Sequence, residues 1–134
     1  MPAAAGGRLL RVVFHQRESP ESRQILNLEE LLAECNAWEH EDREAGLRFS
    51  AECRAWTFGG DFLANAAVAA GADVFIGMHG ANLANGWLMR PGSSVVEVTP
   101  WGFGASSRAY MALGEFCSAG GAGRGLPVAH GVAG

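Results

Sequence analysis

Hydrophobic positions along this chain fall into short blocks whose spacing changes from one block to the next. Leu9 to Phe14 (LLRVVF) is a brief apolar run, the pattern of a buried strand. Leu28, Leu31, Leu32, Cys35 and Trp38 then recur at three- and four-residue intervals, the apolar stripe of a helix. Asn27 stands at the N-cap with Glu30 three residues on, which predicts a capping box, and Leu26 and Leu31 are spaced for a hydrophobic staple. Glu39 to Glu44 (EHEDRE) reads as a solvated helix end or loop. Partial alternation at Phe49, Ala51, Cys53 and Ala55 predicts a strand within Arg48 to Phe58, broken by Gly59-Gly60. Asp61 opens an Ala-rich helix to about Ala70, with Phe62, Leu63, Ala66, Ala67 and Ala70 expected inward and Gly71 ending it. Val74 to Met78 is the next strand, Asn82 to Met89 a short helix, Ser94 to Thr99 a further strand, and Arg108 to Phe116 a final helix.

The order β-α-β-α-β-α-β with short loops predicts an α/β fold: a Rossmann-like parallel sheet, helices on both faces and right-handed crossovers. Residues 118–134 are mostly Gly and Ala without periodicity, too poor in apolar surface to offset their ordering entropy. They are expected to be disordered, as are residues 1–8, leaving one ordered domain over 9–117.

Composition narrows the classes. The 134 residues are 49% hydrophobic and 18% charged, a globular balance. Net charge is -4, all ten basic residues are Arg, and no basic cluster occurs, which argues against a nucleic-acid binder. No run approaches the roughly 18 apolar residues of a membrane span, and the opening MPAAAGGR has no signal-peptide pattern. The three cysteines, Cys35, Cys53 and Cys117, form no Cys-x-x-Cys pair, which disfavours a zinc or redox site. Cys35, on the apolar helix face, reads as a core residue. The G-x-S-x-G elbow, the P-loop lysine and a metal-spaced His/Asp cluster are all missing from the sequence.

Candidate chemistry gathers where parallel strands would end. Gln16 and Arg17 follow the first strand, Gly59 and Gly60 the second, His79 and Gly80 the third, Thr99 and Pro100 the fourth. The turn Met78 to Asn82 leads into a helix start, where unpaired amides and the helix dipole suit an anion such as a diphosphate. Gly80 admits a ligand close to the backbone, and His79 either donates to a phosphate oxygen or braces the turn. Glu97, inside the strand VVEV, needs a partner: a ribose hydroxyl pair at the rim or an Arg. Arg17 and Arg23 are forked donors suited to phosphate, or else solvated loop residues.

The segment GMHGANLANGWLMRPGSSVVEVTPWGF resembles the signature of glycosyltransferase family 61, roughly G-x-HGAGLTN followed by P-G-S and V-x-E-x-x-P. FHQRESPESRQILN is similar to that family's R…R-x-I-x-N segment, and CRAWTFGGDFLANAAVAAGADVFIG to its approach to the signature. The resemblance runs from about Leu9 to Phe103. It implies the C-terminal, nucleotide-binding half of a two-domain GT-B enzyme. Residues Arg17, Arg23, Asn27, His79, Gly80, Ala81, Asn82, Asn85 and Glu97 would then bind the UDP part of a UDP-sugar. Asn82 replaces a Gly of the pattern and Ala84 a Thr, which removes a hydroxyl.

What the resemblance implies is transfer of a sugar, with inversion, from a UDP-sugar to a hydroxyl of a glycan or protein acceptor. No metal or other cofactor is expected. The general base is expected in a separate N-terminal acceptor domain, so no catalytic residue is assigned. The full-length enzyme is expected in the Golgi or endoplasmic reticulum lumen, and the chain is expected to be truncated at both ends. The alternative is a non-catalytic nucleotide-binding module or an inactive fragment.

Overall fold

The computed structural model describes residues 6–18, 24–78, 81–99 and 128–132. Its framework is a six-stranded sheet. Strands β1 (Gly6–His15), β2 (Glu39–Asp42), β3 (Leu47–Trp56), β4 (Val74–Met78), β5 (Ser94–Thr99) and β6 (Val128–Val132) lie in the order β2-β3-β1-β4-β5-β6. Every pairing is parallel except β2 with β3. Helix α1 (Leu28–Asn36) joins β1 to the β2–β3 hairpin, α2 (Phe62–Gly71) joins β3 to β4, and a 3-10 helix (Ala81–Leu88) joins β4 to β5. This is the expected α/β arrangement with a mostly parallel sheet.

Right-handed crossovers decide which helix covers which face. The step from β1 to β3 runs one way along the sheet; those from β3 to β4 and from β4 to β5 run the other way. Helix α1 accordingly packs on one face, where Leu28, Leu31 and Leu32 meet Val12, Phe14 and Cys53. On the other face, Val68 and Ala69 of α2 and Leu83 of the 3-10 helix meet Val13, Phe75 and Val95.

Several local expectations change. Glu39–Asp42, read as a loop or helix end, is an edge strand antiparallel to Leu47–Ser50. Its hairpin turns through Gly46 at φ 65, with Asp42 accepting from the Ala45 amide at 3.0 Å. Four charged and polar residues give no alternation to detect, and charge on an edge strand also discourages further pairing. At the start of α1 neither capping box nor staple forms. Asn27 makes no side-chain cap bond, and Leu26 is 94% exposed. Ile25 packs inward in its place, fixed by Gln16, whose side-chain amide bonds both the Ile25 N–H (3.1 Å) and its carbonyl (3.0 Å).

Helix α2 is capped as expected, Asp61 accepting from the Ala64 amide at 3.1 Å. Its buried face differs, however. Asn65, Val68 and Ala69 face the core, while Phe62 and Leu63 are 65% and 78% exposed. Asn65 sets this rotation: its Nδ2 donates to the Gly59 carbonyl (2.7 Å) and its Oδ1 accepts from the Trp56 indole (3.3 Å). A helix apolar on both sides has no rotation that periodicity alone can choose.

Cys35 is more than a core thiol, since it forms a disulfide with Cys53 across 18 residues, Cα to Cα 6.0 Å. Asn36 reinforces the tie by accepting from the Cys53 amide (2.9 Å) and donating to its carbonyl (3.1 Å). The region Asn82 to Met89 is a 3-10 helix rather than an α-helix. The expectation of disorder over 1–8 and 118–134 is also corrected where the structure describes these segments. Gly6 and Gly7 begin β1, and Val128–Val132 pairs with β5. Strand pairing uses backbone groups, so a Gly- and Ala-rich composition does not forbid it. The expected helix Arg108 to Phe116 lies outside the described residues.

Candidate functional site

Five parallel strands place their carboxyl ends on one edge of the sheet. The chain leaves β1 toward the α1 face and leaves β4 toward the opposite face, and β1 and β4 are neighbours. The gap between their carboxyl ends is thus a topological switch point, the crevice where ligands bind in open α/β sheets. The residues that follow His15 and Met78 border it. A cleft of about 210 Å3 lined by Arg11, Val12, Val13, Glu52, Arg54 and Gly71 lies away from this edge, in the middle of β1 and β3. The switch point is the stronger candidate because its position follows from the crossovers.

The loop after β1 is stapled at Gln16 and Arg17. The Trp56 carbonyl accepts from the Gln16 amide (3.1 Å) and also from the His15 ring nitrogen Nδ1 (3.3 Å). Thr57 donates its hydroxyl to the Gln16 carbonyl (2.9 Å), and Gln24 donates its side-chain amide to the Arg17 carbonyl (2.9 Å). With the Gln16–Ile25 bonds, these hold Arg17 on the rim. Arg17 is partly buried, and its Nη1 has no hydrogen-bond partner among the described residues although water cannot reach it. An unpartnered buried guanidinium nitrogen is costly, and an anion would satisfy it.

The other sequence candidates fall as follows. Asn27 is exposed at the start of α1, on the same edge. Ala81 and Asn82 begin the 3-10 helix directly after β4, so their amides start a helix at the crevice. Asn85 is half-buried in that helix, and Ala84 is exposed. Glu97 is 0% exposed in β5, paired with Gly77. It sits within the sheet under the 3-10 helix rather than on the open rim. Arg23, His79 and Gly80 lie outside the described residues. The structure therefore brings Arg17, Asn27 and the amides of Ala81 and Asn82 to one edge, with Glu97 buried beneath it.

Sequence reasoning missed His15 and Asn65 as determinants of this edge, and it placed Gln16 there without its bonds to Ile25 and Thr57. His15 is 3% exposed. Burial pushes its imidazole below the ordinary value of 6.5; the bond to the Trp56 carbonyl opposes this and the nearby Arg17 adds to it. The available signal was a histidine on the last position of an apolar strand. At the opposite edge, Asp73 accepts from the Arg11 amide and from Arg90, both at 2.8 Å, a brace at the entrance to β4.

Fold and site together define an α/β protein with a crevice at its switch point bordered by Arg17 and the start of the 3-10 helix. The family model for Glycosyltransferase 61 matches residues 5–96, about two thirds of the chain. The chain belongs to glycosyltransferase family 61, and its general chemistry is glycosyl transfer. No curated protein matches it.

Proposed function

We propose that this chain is the donor-binding half of a GT-B glycosyltransferase, holding a UDP-sugar whose sugar is passed to a hydroxyl of a glycan or protein acceptor. The observation that carries the reading is the buried Nη1 of Arg17 beside the switch-point crevice, which has no hydrogen-bond partner among the described residues. Departure of UDP builds negative charge on the diphosphate. Arg17 and the amides of Ala81 and Asn82 supply positive partners for that charge, and His79 and Arg23 add further donors to it. In this reading they take the role that a divalent metal plays elsewhere, so transfer proceeds without one. The acceptor and the general base belong to a separate N-terminal domain. The Cys35–Cys53 disulfide supports a lumenal location, because such bonds persist in oxidising compartments.

Calorimetric titration of UDP into the purified chain tests the reading. Binding is expected, with Arg17→Gln and His79→Ala each weakening it by about tenfold or more, the loss of one charge-assisted contact. Absence of UDP binding by the wild-type chain would overturn it. A second reading, a non-catalytic nucleotide-binding module, is favoured by Ala84, which brings no hydroxyl to the helix beside the crevice. UDP binding without UDP-sugar hydrolysis or transfer, in the chain joined to its acceptor domain, would select it.

A further inference from the structure

Three adjacent strands carry an unusual row just below the rim. Val13, Phe75 and Val95 are register partners across β1, β4 and β5 and share one core. Two residues further along each strand, on the same face, stand His15, Gly77 and Glu97, of which Gly77 and Glu97 are register partners. Gly77 leaves the middle position without a side chain, and His15 leans over it. A Cβ at Gly77 would lie 3.3 Å from the His15 Cβ and 3.0 Å from Leu83 Cδ2. The imidazole is also held by rings, with centroids 5.4 Å from Phe58 and 6.4 Å from Phe75. The next register position beyond Glu97 is His130 of β6.

The bonding of the ring fixes its state. Nδ1 faces the Trp56 carbonyl, which can only accept, so Nδ1 carries the proton and Nε2 is left as an acceptor. That Nε2 is buried and has no hydrogen-bond partner among the described residues. A second proton there would be a buried donor without an acceptor. The groups packed around it offer little relief: Trp56 at the end of β3, Phe58 just beyond it, Phe75 and Gly77 from β4, and Leu83 from the 3-10 helix are uncharged. Among the described residues the ionisable neighbours are Arg17, whose effect opposes protonation, and Glu97 in the same row. The carbonyl that holds His15 is the one that holds the Gln16 amide, the first staple of the Arg17 loop.

We propose that His15 is a positioning residue of the nucleotide site. Its neutral imidazole locks the loop that presents Arg17, and its protonation loosens that loop and weakens diphosphate binding. The pH-gated affinity rests on the UDP reading above, whereas the hold on the loop does not.

Three measurements on the full chain separate the two. Nitrogen-15 NMR of the histidine rings should show His15 as the Nδ1-protonated tautomer. Hydrogen exchange should show the Gln16 and Ile25 amides exchanging about tenfold faster in His15→Phe, which keeps the packing but loses the bond, and nearly restored in His15→Asn, whose amide can still donate to Trp56. UDP titration should show wild-type affinity falling as the pH drops below 6.5 more steeply than that of His15→Asn. The titration of UDP itself is common to both and cancels in the comparison. Unchanged exchange in both variants overturns the positioning role. Identical pH dependence in wild type and His15→Asn overturns the gate. If wild-type chain binds no UDP, the nucleotide reading falls and the gate with it, and the exchange data alone decide the positioning role.

Discussion

Reducing the Cys35–Cys53 disulfide should destabilise the fold by a predictable amount. The bridge closes a segment spanning 18 residues, from α1 through the β2–β3 hairpin to the middle of β3. Closing such a loop in the unfolded chain removes about 11 cal/mol/K of entropy, about 3 kcal/mol at 25 °C. The folded state loses little else on reduction. Cys53 stays buried beside Val12 and Phe14, and Asn36 still bonds both backbone groups of Cys53. The assay is denaturant unfolding with and without a phosphine reductant, followed by circular dichroism. The expected result is a stability lower by about 3 kcal/mol on reduction, and a thermal midpoint lower by about 10 °C. Thiol titration of the unfolded oxidised chain should find one of its three cysteines reactive, and all three after reduction. A shift below about 0.5 kcal/mol, with the bridge shown to be present beforehand, would refute the chain-entropy reasoning. It would mean that the unfolded chain already holds these segments together.

Replacing Asn36 by Ala should cost about 1–3 kcal/mol, because the Cys53 amide and carbonyl lose their partners in a half-buried setting. Combined with reduction of the bridge, its effect should be non-additive, as a double-mutant cycle would reveal. Gly86→Ala places a Cβ 2.9 Å from Val95 Cγ2, inside the core of β5, and should cost about 1–3 kcal/mol by overpacking in thermal unfolding. Stability should also decline as pH falls below 6.5, the ordinary histidine value. Above that pH His15 is neutral folded or unfolded and contributes nothing; below it the unfolded chain takes up a proton that the buried ring refuses. Chemical denaturation across pH should show this slope in wild type and a shallower one in His15→Asn.

Much of the fold was legible in the chain. The apolar run at Leu9 to Phe14, the Asp61 cap and the strands Val74 to Met78 and Ser94 to Thr99 announce themselves through neighbours only a few residues away. So does the rim, since parallel strands in sequence order put Gln16, Arg17 and Ala81 at one edge. The site was legible in part. Arg17 and the start of the 3-10 helix do border the switch point, whereas Glu97 is drawn inside the sheet. The staples that hold Arg17 were not legible, because Gln16 meets Ile25 nine residues on, and Thr57 binds the Gln16 carbonyl across 41.

By itself, then, the sequence determined the order and type of most elements and the edge where chemistry gathers, because these depend on period, turn residues and handedness. Tertiary structure decided which face of α2 is buried, that Cys35 finds Cys53, that a charged segment becomes an edge strand, and that His15, Gly77 and Glu97 align beneath the rim. Each of these depends on register between strands distant in sequence. A one-residue change of register or of helix rotation leaves local periodicity nearly unchanged, yet it reverses which side chains meet.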